Sequence, residues 1–139
     1  MLKQIDHIGI AVYNIDESLK RYEKLFHLEA KHIETMEELS VRIAFIPVGE
    51  VMLELLQPLI PGKGRTAEFL EKHGEGITHI AYRVDNLETM LTDMKKMGFR
   101  LRDERPRRGA AGSWVAFVSP EETNNISVEL VERESPREG

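Results

Sequence analysis

The chain has 139 residues, 41% of them hydrophobic and 31% charged, with a formal charge of −5. That size fits one compact domain, or two small modules sharing a core, and the acidic balance argues against a general nucleic-acid binder. Cysteine is absent, which excludes disulfides, thiolate metal sites and a cysteine nucleophile. The start, Met1-Leu2-Lys3-Gln4-Ile5-Asp6, has no long apolar run. A cytoplasmic protein without signal peptide or membrane span is therefore the expectation.

In chain order, Ile5 to Val12 alternates as a half-buried strand, with Ile8, Ile10 and Val12 on one face. His7, Gly9 and Ala11 share the other, so the histidine sits among small residues. Asn14 to Phe26 reads as an Asn-capped helix with Asp16 and Glu17 in its first turn and a stripe of Leu19, Tyr22 and Phe26. Leu28 to Glu34 reads as a short strand. Val41 to Val48 and Val51 to Gln57 are strands joined by the two-residue turn Gly49-Glu50. Pro58 to Arg65 is a linker, and Thr66 to His73 a short helix ended by Gly74.

The second half repeats the order. Ile77 to Val84 is a strand, and Leu87 to Met97 an Asn86-capped helix stopped by Gly98. Phe99 to Arg102 is short and extended, Ser113 to Val118 is a strand, and Ile126 to Val131 is the last strand. Each half reads β-α-β-β-β. The expected fold class is α+β, two tandem βαβββ modules forming a curved, partly open barrel-like sheet around a site. Module 1 covers residues 1–60, the linker and short helix 61–76, module 2 residues 77–132, and a polar tail 133–139 is expected to fray.

The repeat returns the same chemistry to the same places. His7 precedes Glu54 by 47 positions and His79 precedes Glu129 by 50, so both halves open on a histidine strand and close on a glutamate strand. Each glutamate interrupts an apolar strand, Val51-Met52-Leu53-Glu54-Leu55-Leu56 and Ile126-Ser127-Val128-Glu129-Leu130-Val131. A charge there needs an exposed face, an ion pair with an arginine such as Arg83, or a metal. Chance does not align His with His and Glu with Glu, and the duplication favours the metal. Two imidazoles and two carboxylates suit Co²⁺, Mn²⁺, Fe²⁺, Ni²⁺ or Zn²⁺. An octahedral ion so held keeps two positions for substrate oxygens, and negative charge on those oxygens makes a proton α to a carbonyl removable. His27, His32 and His73 have no counterparts and read as surface residues.

These residues resemble the vicinal oxygen chelate superfamily, whose members duplicate a βαβββ module around one metal. Several stretches further resemble the methylmalonyl-CoA epimerase family: Ile5 to Val12, Glu54-Leu55-Leu56-Gln57-Pro58, Phe69 to Ala81 and Asp103 to Gly112. The match extends over the chain to Glu132, and the run Glu71-Lys72-His73-Gly74-Glu75-Gly76 is its most specific piece. The resemblance implies metal ligands at His7, Glu54, His79 and Glu129, with cobalt as the ion and Glu129 also acting as a base. It implies an isomerase that epimerises C2 of an acyl-CoA, methylmalonyl-CoA, through a metal-stabilised enolate, working as a homodimer. The rivals are a glyoxalase I-like lyase and a non-catalytic small-molecule-binding protein of the same fold. Two departures stand out. Val41-Arg42-Ile43-Ala44 lacks the early third-strand glutamate of some members, and Ser119-Pro120-Glu121 replaces a basic stretch.

Arg100, Arg102, Arg105, Arg107 and Arg108 place five positive charges within nine residues. They make either a solvated loop or a clamp for an anionic substrate such as the CoA phosphates, Arg105, Arg107 and Arg108 above all. Gly109, Ala110, Ala111 and Gly112 follow, small enough to let backbone N–H groups approach a carboxylate. Trp114 reads as core or as pocket wall.

Overall fold

The computed structural model describes residues 1–133, so the expectation for positions 134–139 lies outside the described residues. The chain divides into two compact units. One is His7–Thr78; the other joins Met1–Asp6 to the chain from His79 onward.

The unit built from His7–Thr78 contains the second half of β1 (Leu2–Ala11), then α1 (Ile15–Phe26), β2 (His32–Met36), β3 (Val41–Val48), β4 (Val51–Pro58) and α2 (Arg65–His73). Its strands run in the order β2-β3-β4-β1; β1 and β4 are parallel and the other pairs antiparallel. Asn14 caps α1, its side chain accepting from the Glu17 N–H at 3.0 Å. Gly49 takes φ 60° in the β3–β4 hairpin, a conformation a two-residue turn requires. The core on the helix side joins Val12, Ile15, Ala44, Ile46 and Leu55, with Leu19 and Tyr22 of α1 packed against it. Phe26, the last residue of the expected stripe and of α1, is 62% exposed and meets the ring of Tyr22 edge-on.

The second unit repeats the plan with β5 (Gly76–Val84), α3 (Leu87–Lys96), β6 (Arg107–Arg108), β7 (Ser113–Val118) and β8 (Val128–Arg133), in the order β5-β8-β7-β6. Strands β5 and β8 are parallel. Asn86 caps α3 as Asn14 caps α1. Val84, Leu87, Leu91, Ala116, Val118, Val128 and Leu130 form the helix-side core, and Trp114 packs against it.

Four expectations need correction. The strand expected over Leu28 to Glu34 begins only at His32, because Leu28 and Ala30 pack on the core beneath α1 before pairing with β3 starts. Phe99 to Arg102 is not a strand; only Leu101 bridges, to Val118. The last strand starts at Val128, two residues late, because Asn124 and Asn125 both take positive φ and turn the chain before it can pair. It also extends to Arg133, which is bonded in the structure and is no part of a frayed tail.

Candidate metal centre and substrate site

Alternation along the strands sends the apolar positions listed above to the helices, so the opposite face of each sheet is available for chemistry. In the His7–Thr78 unit that face carries His7, Gly9 and Ala11 of β1, Met52, Glu54 and Leu56 of β4, and Ile43 and Phe45 of β3. Register places Glu54 between Gly9 on one neighbouring strand and Phe45 on the other. Gly9 has no side chain to fill the space beside the carboxylate. The Glu54 Oε2 lies 3.3 Å from the His7 Nδ1, and both side chains are 6% exposed.

The other unit reproduces this arrangement. Glu129 lies between Ala81 on β5 and Phe117 on β7, again a small residue and a phenylalanine. Its Oε1 is 3.4 Å from the His79 Nε2, with side chains 10% and 13% exposed. The small apolar cluster of Ala81, Val115 and Val131 lines the same face. The two histidines therefore present different nitrogens to their carboxylates, Nδ1 in one unit and Nε2 in the other. That breaks the symmetry of the duplication.

The separations discriminate between two uses of such a pair. Charge-assisted N–H···O bonds run about 2.7–2.9 Å, shorter than either pair. Two ligands on one ion, each with a bond of about 2.1 Å, lie about 3.0 Å apart when octahedral and about 3.4 Å apart when tetrahedral. Within each unit the imidazole and carboxylate thus fit a shared divalent ion, and the donors are nitrogen and oxygen only.

The arginine pair that would have explained the glutamates away is engaged elsewhere. Arg83 binds Asp6, donating from Nε at 3.0 Å and from Nη2 at 2.9 Å to Oδ1. Arg133 donates from Nη2 to Oδ2 of the same carboxylate at 2.6 Å. Asp6 is fully buried, and the sequence reading passed over it. Its signal was available: a carboxylate at the start of an apolar strand requires a partner for the same reason as Glu54 and Glu129.

The basic segment is not a free cluster. Arg100 pairs with Glu121 and Glu122, so the acidic departure at Glu121 is met by a local cation. Arg107 lies 3.4 Å from Asp103, and Arg108 stacks on Trp114 at 4.0 Å. Arg105 is exposed. Arg102, which the sequence reading grouped with the others, lies 4.0 Å over the ring of Phe117, and Arg107 is 5.6 Å from it. That ring meets the His79 imidazole edge-on at 5.7 Å. Positive charge therefore stands one aromatic ring away from His79. In the other unit the equivalent Phe45 stacks instead on exposed His32.

Gly109 to Gly112 forms a tight turn between β6 and β7. A Cβ on Gly109 would stand 2.6 Å from Val115 Cγ1 and 2.8 Å from Ser113 Oγ, so any side chain there would have to displace buried Val115 and Ser113. Ala111 and Gly112 take φ 55° and 70°. Further on the first unit's side, the run singled out before His79 has a structural use. Glu75 accepts from the Tyr13 N–H at 2.9 Å and Thr78 donates to the Gly9 carbonyl at 3.2 Å, which fixes that segment against the end of β1. Val41 and Ile43 are buried, so no carboxylate occupies the start of β3.

A family model described as the glyoxalase/bleomycin resistance protein/dioxygenase superfamily matches residues 6–117. The protein YqjC of Bacillus subtilis (strain 168) is 42% identical over 131 residues, covering 94% of this chain and 93% of its own. The ethylmalonyl-CoA/methylmalonyl-CoA epimerase of Cereibacter sphaeroides is 32% identical over 133 residues, covering 94% of this chain and 98% of that protein. A solved methylmalonyl-CoA epimerase in complex with methylmalonyl-CoA and NH₄⁺ aligns with a TM-score of 0.90 at 32% identity, over 97% of both chains.

Proposed function

The chain belongs to the methylmalonyl-CoA epimerase family of the glyoxalase/bleomycin resistance protein/dioxygenase superfamily, and from that premise we propose that it interconverts the C2 epimers of methylmalonyl-CoA. The observation that carries the reading is the duplicated histidine–carboxylate pair, buried in an apolar sheet face and spaced as ligands of one ion would be. The proposed ligands are His7, Glu54, His79 and Glu129. Their donors are imidazole nitrogen and carboxylate oxygen, the types a divalent ion takes from residues of this kind. A divalent ion supplies, when bound, stabilisation of negative charge on the thioester and carboxylate oxygens of the substrate.

Glu129 takes the C2 proton. The C2–H bond breaks toward its carboxylate and the electron pair moves into the thioester carbonyl, giving an enolate. A second acid delivers a proton to the opposite face of C2 and inverts the centre, the proton on Glu129 passes to solvent, and no oxidant or co-reactant is consumed. Glu129 is 8% exposed, so its carboxylate is largely withdrawn from bulk water. Glu54 is assigned a ligand role alone. The asymmetry between the halves supports this division, because Arg102 and Arg107 approach Phe117 on the Glu129 side, where an anionic substrate gains most. The turn Gly109, Ala110, Ala111 and Gly112 is assigned to the acyl-CoA, and Arg105, Arg107 and Arg108 to its phosphates. Cobalt is the ion of choice, and the active form is a cytoplasmic homodimer.

Deuterium wash-in at C2 of methylmalonyl-CoA, followed with and without added Co²⁺, tests the reading. Exchange that depends on the metal is expected. Metal-loaded protein that exchanges no deuterium at C2 would rule the activity out.

A further inference from the structure

We propose that Arg133 is a positioning residue for substrate binding: clamped by buried Asp6, its guanidinium holds the Gly109–Gly112 turn in the shape that receives the acyl-CoA. The inference rests on the reading of that turn as part of the acyl-CoA site. Arg133 ends β8, four residues beyond Glu129 and on the same strand face, with Val131 between them. Arg83 stands in the same relation to His79 on β5. The two arginines converge on Asp6, which is fully buried and takes bonds on both carboxylate oxygens.

This fixes the Arg133 head group more tightly than its place at a strand end would. A second Arg133 contact to the carboxylate, Nε to Oδ1 at 3.3 Å, makes the grip two-pronged. The remaining Nη1 reaches the carbonyl of Ala111 at 3.4 Å. Ala111 is a non-glycine residue at φ 55°, a conformation that L side chains rarely adopt and that needs support from its surroundings. The turn's ends are held by the Gly109 N–H on the Ser113 carbonyl and the Ser113 hydroxyl on the Ala110 carbonyl. Arg133 is the side chain that reaches the strained residue between them. Asp6 is thereby linked through one guanidinium to the backbone of the turn. Removing Arg133 leaves Asp6 with both Arg83 bonds to Oδ1, so the buried carboxylate keeps one cationic partner.

The experiment compares Arg133→Gln and Arg133→Lys with the unaltered protein by amide hydrogen exchange and by kinetics with methylmalonyl-CoA. In Arg133→Gln the bonded turn amides of Gly109 and Ser113 should exchange about tenfold faster while those of Leu130 and Val131 in β8 keep their protection. KM should rise about tenfold with kcat changed about twofold or less, the pattern of lost binding with the chemistry intact. Arg133→Lys should recover part of both effects, since an ammonium still reaches Asp6 but cannot fork to both groups. Should Arg133→Gln fail to fold, Arg133→Lys carries the test, with a smaller acceleration confined to the turn. Unchanged turn exchange overturns the proposal, as does equal loosening of β8. If the unaltered protein turns over no methylmalonyl-CoA, the functional reading fails while the exchange measurement still decides whether Arg133 holds the turn.

Discussion

Glu132 accepts the Leu87 N–H at 2.7 Å, tying the last strand to the first residue of α3. Gln57 does the same for Ile15 at the start of α1, also at 2.7 Å. Each lies three residues after the glutamate of its half, so one strand delivers the candidate ligand to one face and a helix anchor to the other. The ligand's position and the helix's position are coupled through three residues of backbone. The anchor satisfies an N–H that the helix itself leaves without a partner.

Because glutamine performs this role in one half, Glu132→Gln should be close to neutral for stability. Glu132→Ala should cost about 1–2 kcal/mol, the scale of a lost helix N-terminal bond at a part-buried site. Chemical denaturation of both variants measures the difference. Equal destabilisation by Gln and Ala would show that charge, and not the hydrogen bond, matters there.

Metal content follows from the paired donors. One divalent ion per chain is expected, with loss of activity on chelation and recovery on adding Co²⁺. His7→Ala and His79→Ala each remove one of four proposed ligands and should abolish high-affinity binding. Elemental analysis of purified protein checks this; fully active protein free of metal would refute it.

The basic segment makes a separate prediction. If Arg105, Arg107 and Arg108 hold CoA phosphates, replacing all three with Ala should raise KM and weaken its salt dependence, with kcat largely kept. The contacts of Arg107 with Asp103 and of Arg108 with Trp114 leave both head groups at the surface of β6, where a phosphate can compete for them. Steady-state kinetics at two ionic strengths measures the effect. An unchanged KM would return these arginines to a structural role.

Much of this was legible because duplication supplies an internal comparison. The two Asn caps, the hairpin at Gly49 and the four His and Glu positions all repeat or carry a turn signal, and the elements they mark are all present, with β8 starting two residues late. Gln57 and Glu132 repeat as well, but they differ in residue type and so escape a search for identity. The two-residue strand Arg107–Arg108 has no alternation to detect and exists only because β7 offers it an edge. The link from Asp6 to Arg83 and Arg133 crosses 77 and 127 positions of sequence. No local pattern encodes such a pairing. What the sequence does hold is the demand for it, a carboxylate inside an apolar strand.

The central claim is that Glu129 acts as the base as well as a ligand, whereas Glu54 is a ligand only. Glu→Gln keeps an oxygen that can ligate and removes the basic carboxylate. The direct measurement is C2 hydrogen–deuterium exchange of methylmalonyl-CoA by Glu54→Gln and Glu129→Gln, each with its metal content determined. Glu54→Gln should bind metal and keep substantial exchange. Glu129→Gln should retain metal yet lose exchange by about 10²-fold or more. Exchange at the unaltered rate in metal-bound Glu129→Gln would contradict the account and place the base elsewhere.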